Sequence, residues 1–122
     1  MPAIQKTISP VDGRVYVERP LATPEQINDV LRTARHAQGA WRNVSLSERT
    51  RVLTAFCSEF EKRGAAIAQE ITWQMGRPLR YAPSEVRGTL ERARHMIAIA
   101  PQALADVQVG PKEQFKRFVR RE

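Results

Sequence analysis

A single cysteine, Cys57, stands among the 122 residues. That excludes a disulfide framework, and it excludes a cysteine zinc site, which needs two or more thiolates. Long apolar runs are missing as well. Met96-Ile97-Ala98-Ile99-Ala100 is among the longest, far short of the roughly 20 residues that cross a bilayer. Met1-Pro2-Ala3-Ile4-Gln5-Lys6 holds no apolar stretch of signal-peptide length, so a cytoplasmic protein is expected. Neither Gly-x-Gly-x-x-Gly nor Gly-x-x-x-x-Gly-Lys-Ser/Thr occurs, so no phosphate-cradling loop is predicted. Repeats and low-complexity segments are absent too.

With 42% hydrophobic and 27% charged residues, the chain has the composition of one soluble globular domain or part of a larger one. Its net charge of +7 raises the question of nucleic acid. Five cations (Lys112, Lys116, Arg117, Arg120, Arg121) face two acids, Glu113 and Glu122, in the last eleven residues. Elsewhere the basic excess is dispersed arginine, without the stripe and interleaved aromatics that specific binding needs. Nucleic-acid binding is therefore not expected.

Residues 7–20 predict a β-hairpin, turning at Pro10-Val11-Asp12-Gly13 and leaving through Val15, Tyr16 and Val17. Thr23, Pro24 and Gln26 then form a complete helix start, an N-cap, a first-turn proline and a T-x-x-Q capping box. Ile27, Val30, Leu31, Ala34, Ala37 and Trp41 follow as one stripe of helical period. Ser45 and Glu48 repeat the box ahead of Val52, Leu53, Phe56 and Phe60, and Gly64 is positioned to stop that second helix. A third helix is expected from Ala65 to Met75, ended by Gly76 with Pro78 beyond it. A fourth starts near Pro83-Ser84-Glu85 and carries Val86, Leu90, Ala93, Ile97 and Leu104, with Pro101 expected to kink or end it. Residues 106–122 read as extended, with Phe115, Phe118 and Val119 as apolar members. That strand has no sequence-adjacent partner and is expected to be unpaired, an open edge that invites association.

Chemistry is hard to find in these residues. Cys57 sits mid-helix between Phe56 and Ser58, away from a helix N-terminus or clustered cations that would lower its pKa, so it is expected to pack and not to attack. His36 and His95 lack companions at metal-ligand spacing. The carboxylate pairs Glu59/Glu61 and Glu48/Glu91 are explained by capping and surface ion pairs. Trp41 and Trp73 are expected as packing anchors. No catalytic, cofactor-binding or metal residue is assigned.

The order of segments resembles the N-terminal part of the aldehyde dehydrogenase superfamily. Ser9-Pro10-Val11-Asp12-Gly13-Arg14-Val15 is similar to the family's N-P-x-T-G-E-V hairpin, and Pro20-Leu21-Ala22-Thr23-Pro24-Glu25 to its entry into the first helix. Ala40-Trp41-Arg42 with Ser45, Ser47, Glu48 and Arg49 resembles W-R-x-x-S-x-x-E-R. Gly76-Arg77-Pro78-Leu79 takes the place of G-K-P-L, and Glu85 that of the acidic residue opening the next helix. Phe115-Lys116-Arg117-Phe118-Val119-Arg120-Arg121-Glu122 resembles the strand that leads into R-E-P-x-G-V-V. Gln74, Arg77 and Trp73 depart from the pattern. Each motif alone is weak; in the correct order, across more than 100 residues, they are strong together.

The resemblance implies a Rossmann-like α/β parent fold, of which this segment is mainly α-helical, with an N-terminal hairpin and a C-terminal edge strand. It implies oxidation of an aldehyde to a carboxylic acid with NAD or NADP, through a cysteine thiolate, a water-activating glutamate and an oxyanion-holding asparagine. None of these maps onto residues 1–122, and Cys57 lacks the nucleophile's flanking motif. Some members hold a monovalent cation near the opening strand and the Glu85 position, but the remaining ligands are absent here and no metal is assigned. The chain is thus expected to be a truncated, inactive N-terminal fragment: residues 1–105 from the cofactor domain and 106–122 from the start of an oligomerisation strand. No cofactor is expected to bind it alone. The full-length form is expected to be a homo-oligomer, with association through residues 107–122. The alternative reading is a small basic helical module that binds nucleic acid or an acidic protein.

Overall fold

The computed structural model describes residues 3–110 and 112–119. Two antiparallel strands, β1 (Ile4–Ile8) and β2 (Val15–Pro20), are followed by four helices: α1 (Pro24–Trp41), α2 (Leu46–Lys62), α3 (Gly64–Met75) and α4 (Ala82–Ala103). Two short strands, β3 (Val107–Gln108) and β4 (Phe118–Val119), close the described chain. The architecture is mainly helical with a hairpin at each end.

The first hairpin begins earlier than its alternation suggests, because Ile4 pairs with Pro20 and Gln5 with Arg19. Its tip is a compact turn. Ser9 N–H donates to Arg14 O, Gly13 N–H to Ser9 O, and Asp12 Oδ1 accepts from Arg14 N–H. Gly13 has φ +74°, which a residue with a Cβ rarely adopts. Ser9 is buried at 1% exposure, and its Oγ accepts from Val11 N–H at 3.2 Å.

The start of α1 is as its sequence predicts. Thr23 Oγ1 accepts from Gln26 N–H at 3.3 Å and Gln26 Oε1 accepts from Thr23 N–H at 2.9 Å. In α2 only half of the device forms. Ser45 Oγ accepts from Glu48 N–H at 3.2 Å, while the Glu48 carboxylate takes both Arg51 Nε and Arg51 Nη2. A bidentate guanidinium offers the carboxylate two charge-assisted bonds where the backbone would offer one neutral bond.

Helix α4 is the element that α2 and α3 pack against. Ala82, Val86 and Leu90 fall one helical turn apart and are all buried. Val86 and Leu90 cluster with Cys57 of α2, and Phe60, Ile67, Ala93 and Ile97 pack around them. Gly64 is not the stop for α2 that its position suggested. Arg63 caps α2 with φ −90°, and Gly64 opens α3 directly. Its missing side chain serves a close approach instead, since a Cβ there would lie 3.3 Å from Val86 Cγ1. Gly76 does end α3 in the left-handed region at φ +75°, the ordinary glycine terminator.

Two further expectations need correction. Pro101 does not end α4, which runs on to Ala103. It lacks the N–H that would reach the Ile97 carbonyl, but only Gln102 and Ala103 follow it in the helix, and Leu104 N–H still closes the end on Ala100 O. The terminal strand is not unpaired either. Val107 pairs with Val119 and Gln108 with Phe118. A bridge between Lys112 and Phe115, with Gln114 at φ 65°, turns the chain back on itself. Pairing locally satisfies backbone groups that would otherwise face solvent. Met1-Pro2 and the closing Arg120-Arg121-Glu122 of the last motif lie outside the described residues.

The N-terminal hairpin rests on α3. The Tyr16 ring stacks on Trp73 with centroids 5.8 Å apart and planes 4° from parallel. Tyr16 Oη donates to Glu70 Oε1 at 2.8 Å, and Gln74 Nε2 donates to Glu70 Oε2 at 2.7 Å. These donors hold the Glu70 carboxyl below its ordinary 4.5, Gln74 first, then Tyr16, with Arg19 assisting and partial desolvation opposing. The Tyr16 phenol is pushed above its ordinary 10.0 by its hydrogen bond to Glu70, by desolvation and by the charge of Glu70.

Three outcomes are expected. Leu90→Ala removes a side chain that is 4% exposed and should lower the unfolding free energy by about 2–5 kcal/mol in urea titration. Gly76→Ala should destabilise by about 1 kcal/mol or more, because its φ is positive and its Cβ would meet Pro10 Cγ at 2.7 Å. Hairpin docking should be flat with pH across the neutral range. A carboxyl lowered in the folded state contributes above 4.5 and loses that contribution as pH falls through its folded value. A raised phenol contributes fully below 10.0 and loses its share as pH rises through its folded value. Tryptophan emission should therefore shift only below the first limit and above the second. Both groups are exposed, so added salt should shrink these acid and alkaline effects.

Candidate functional site

Residues that could carry chemistry are scattered. Cys57 is 3% exposed and clusters with Val86 and Leu90 of α4, so the thiol is packed among apolar side chains. His36 lies on α1 and His95 on α4, both exposed. Among the described residues no group of three or more His, Cys, Asp or Glu side chains could hold a metal ion.

The carboxylates are engaged by cations. Glu59 pairs with Lys62 at 2.6 Å, and Glu61 reaches from α2 to Arg94 of α4 at 2.6 Å. Glu85 pairs with Arg77 at 2.8 Å across the turn between α3 and α4. The Glu48 carboxyl is held below its ordinary range by its hydrogen bonds to Arg51, and Arg51 is raised in return. Glu25 is lowered at the start of α1 by its own backbone N–H and by Thr23. These exposed pairs orient side chains and contribute little stability. Glu91 lies exposed on α4, and the structure does not join it to Glu48 of α2 by any hydrogen bond or ion pair among the described residues.

The four helix starts differ in how their first N–H groups are met: α3 and α4 have no side-chain cap hydrogen bond. A helix N-terminus binds pyrophosphate through its free N–H groups, but the first turns of α1 and α2 are closed by Thr23 and Ser45. The grooves along α1 are apolar, lined by Ala22, Ile27, Val30 and Leu31 at one end and by Ala34, Ala37, Ala40 and Trp41 at the other.

What the structure does assemble is a set of faces. No residue of α1 is buried, and Val30 is 67% exposed. Trp41, expected as an anchor, is 43% exposed because none of the described elements covers its helix face. Trp73 does anchor, through Tyr16. The union of Tyr16 with Glu70, 54 residues apart, has no one-dimensional signal. Beyond α4, the terminal hairpin carries Lys112 over the Phe115 ring at 5.2 Å, and Arg117 donates to Gly110 O at 2.7 Å. Part of the basic tail is thus spent on its own backbone and ring.

Among the described residues, no helix is long and apolar enough to cross a membrane. The family model for the aldehyde dehydrogenase family matches residues 3–122. An aldehyde dehydrogenase of Deinococcus radiodurans is 33% identical over 72 residues, covering 59% of this chain and 14% of the relative. An N-succinylglutamate 5-semialdehyde dehydrogenase of Chromobacterium violaceum is 32% identical over 104 residues, covering 85% of this chain and 20% of the relative. Among solved structures, the NADP-dependent glyceraldehyde-3-phosphate dehydrogenase of Bacillus halodurans, complexed with NADP, superposes with a TM-score of 0.83 at 26% identity. It covers 93% of this chain and 24% of that one. An NAD-dependent benzaldehyde dehydrogenase of Corynebacterium glutamicum shares the fold, with a TM-score of 0.81 at 17% identity over 92% of this chain and 24% of that one. The chain thus spans between 14% and 20% of the length of these curated relatives. The match runs through the arginine-rich helices and the basic tail, and it gives the basic-module reading no support. With its hairpin, capped helices, Gly76 turn and closing strands all inside that match, the chain belongs to the aldehyde dehydrogenase family.

Proposed function

We propose that these residues are the N-terminal portion of an NAD(P)-dependent aldehyde dehydrogenase, which oxidises an aldehyde to a carboxylic acid, and that by themselves they are inactive. The observation that carries this reading is surface area. The chain exposes 10404 Å², where a compact monomer of 13.9 kDa exposes about 6,700 Å². The excess, about 3,700 Å², is of the order of an obligate interface. The apolar stripe of α1, with Ile27, Val30, Leu31 and Trp41 all exposed, is part of that surface.

On this reading residues 1–105 contribute a hairpin and helices to the cofactor-binding domain. Residues 106–122 begin the strand element through which full-length subunits associate as a homo-oligomer in the cytoplasm. The nicotinamide cofactor, NAD or NADP, supplies the hydride acceptor when bound, and it is held by elements outside these residues. The part played by this chain is packing: Ile27, Val30, Leu31 and Trp41 exclude water from a neighbouring layer, at about 25 cal/mol per Å² buried.

Two measurements test the reading. The 122-residue chain should produce no reduced nicotinamide with any aldehyde and should self-associate at micromolar concentration, since an uncovered apolar face is an association site. Aldehyde-dependent reduction by this chain, or a monodisperse monomer with its α1 face open, would overturn it. Sequencing the DNA beyond codon 122 in all three frames gives the independent check. A continuation resembling P-x-G-V-V followed by P-W-N is the expected result, and unrelated sequence counts against the proposal.

A further inference from the structure

The N-terminal hairpin carries its own strand-to-strand bonds, from Ile4↔Pro20 to Ile8↔Val15. Apart from Ser9, none of residues 3–20 is fully buried. It meets α3 at two points. Tyr16 lies on Trp73 and donates to Glu70, and Pro10 sits over Gly76, so close that a Cβ would come within 2.7 Å. Beyond Pro20 the chain passes into α1, which has no buried residue. The stretch that follows β2 therefore provides no second anchorage.

We propose that the hairpin is a strap, latched to α3 by Tyr16, that lifts as a unit while α2, α3 and α4 stay folded. Lifting breaks no bond between β1 and β2, and it removes no member of the Cys57–Val86–Leu90 core. Its cost is one aromatic stack, one hydrogen bond, the Pro10 contact, the attraction of Arg19 for Glu70 and the exposure of Ser9, which places it below the cost of opening the helical core. The lifted strap uncovers Trp73 beside the apolar groove lined by Ile67, Ile71 and Met75. Glu70 and Gln74, on the rim of that groove, are the residues that hold the latch.

Hydrogen exchange resolved by segment, on the 122-residue chain at low concentration, tests the strap with Tyr16→Ala and Tyr16→Phe. A two-stranded hairpin alone is marginal, so a released strap loses its amide protection. Tyr16→Ala should raise exchange in residues 4–20 about tenfold while residues 46–100 stay within about twofold of the parent. Tyr16→Phe, which keeps the ring and loses the hydroxyl, should fall between the two. Exchange that rises alike in hairpin and helices, or a Tyr16→Ala chain that fails to fold, overturns the strap, because the hairpin would then be part of the helical core. Unchanged exchange in residues 4–20 overturns the latch.

Discussion

The close approach of α2 and α3 to one side of α4 is the contact on which the rest of this chain depends. Val86 and Leu90 supply the apolar row, Cys57 fills the space between them, and the absent side chain of Gly64 lets the α2–α3 junction come down onto Val86. Few residues take part, so each matters. Close-packed interiors register even a single methylene, and here the buried cluster is three residues with four more packed around it. Everything else is attached to that cluster at its edges: the N-terminal hairpin through α3, the terminal hairpin through the end of α4, and α1 through the chain alone.

Helix α1 is the informative exception. It has a strong local origin, with a reciprocal capping box and a first-turn proline, yet it buries nothing among the described residues. Local signals form a helix; burial of its stripe is what makes a helix stable in a domain. An 18-residue helix with one apolar face and no covering layer is a half-made interface. The family match gives that face a meaning, because the chain spans only 14% to 20% of the relatives it aligns with. Among the described residues, Glu48 and Glu59 are matched to Arg51 and Lys62 one turn away on α2, and Glu61 to Arg94 across on α4.

Much of the scaffold was legible in the residues. Thr23 with Gln26, the φ > 0 demands at Gly13 and Gly76, and the one-turn spacing of Val86 and Leu90 are local facts, decided within four or five residues, and the structure agrees with each. Where reading failed, a competing partner or a contact outside the local pattern had intervened. Glu48 left its own capping box for Arg51 because a bidentate charged partner outweighs a single backbone donor. Gly64, read as a stop, proved to be a clearance for Val86. Pro101, read as a kink or a break, lies two residues before the end of α4, which runs on to Ala103 without the proline's bond. The edge strand thought unpaired found Val107–Gln108 across a turn at Gln114.

The sequence by itself determined where the helices start, which face of each is apolar, and which family the chain belongs to, because caps, periodicity and motif order are all written at short range. Only the tertiary structure decided that Tyr16 lies on Trp73, that Cys57 is walled in by α4, and that the stripe of α1 remains uncovered. Those outcomes join residues tens of positions apart, or depend on surface that another element must supply. One-dimensional spacing carries no information about either, since the free energy of such contacts resides in what the folded chain brings together.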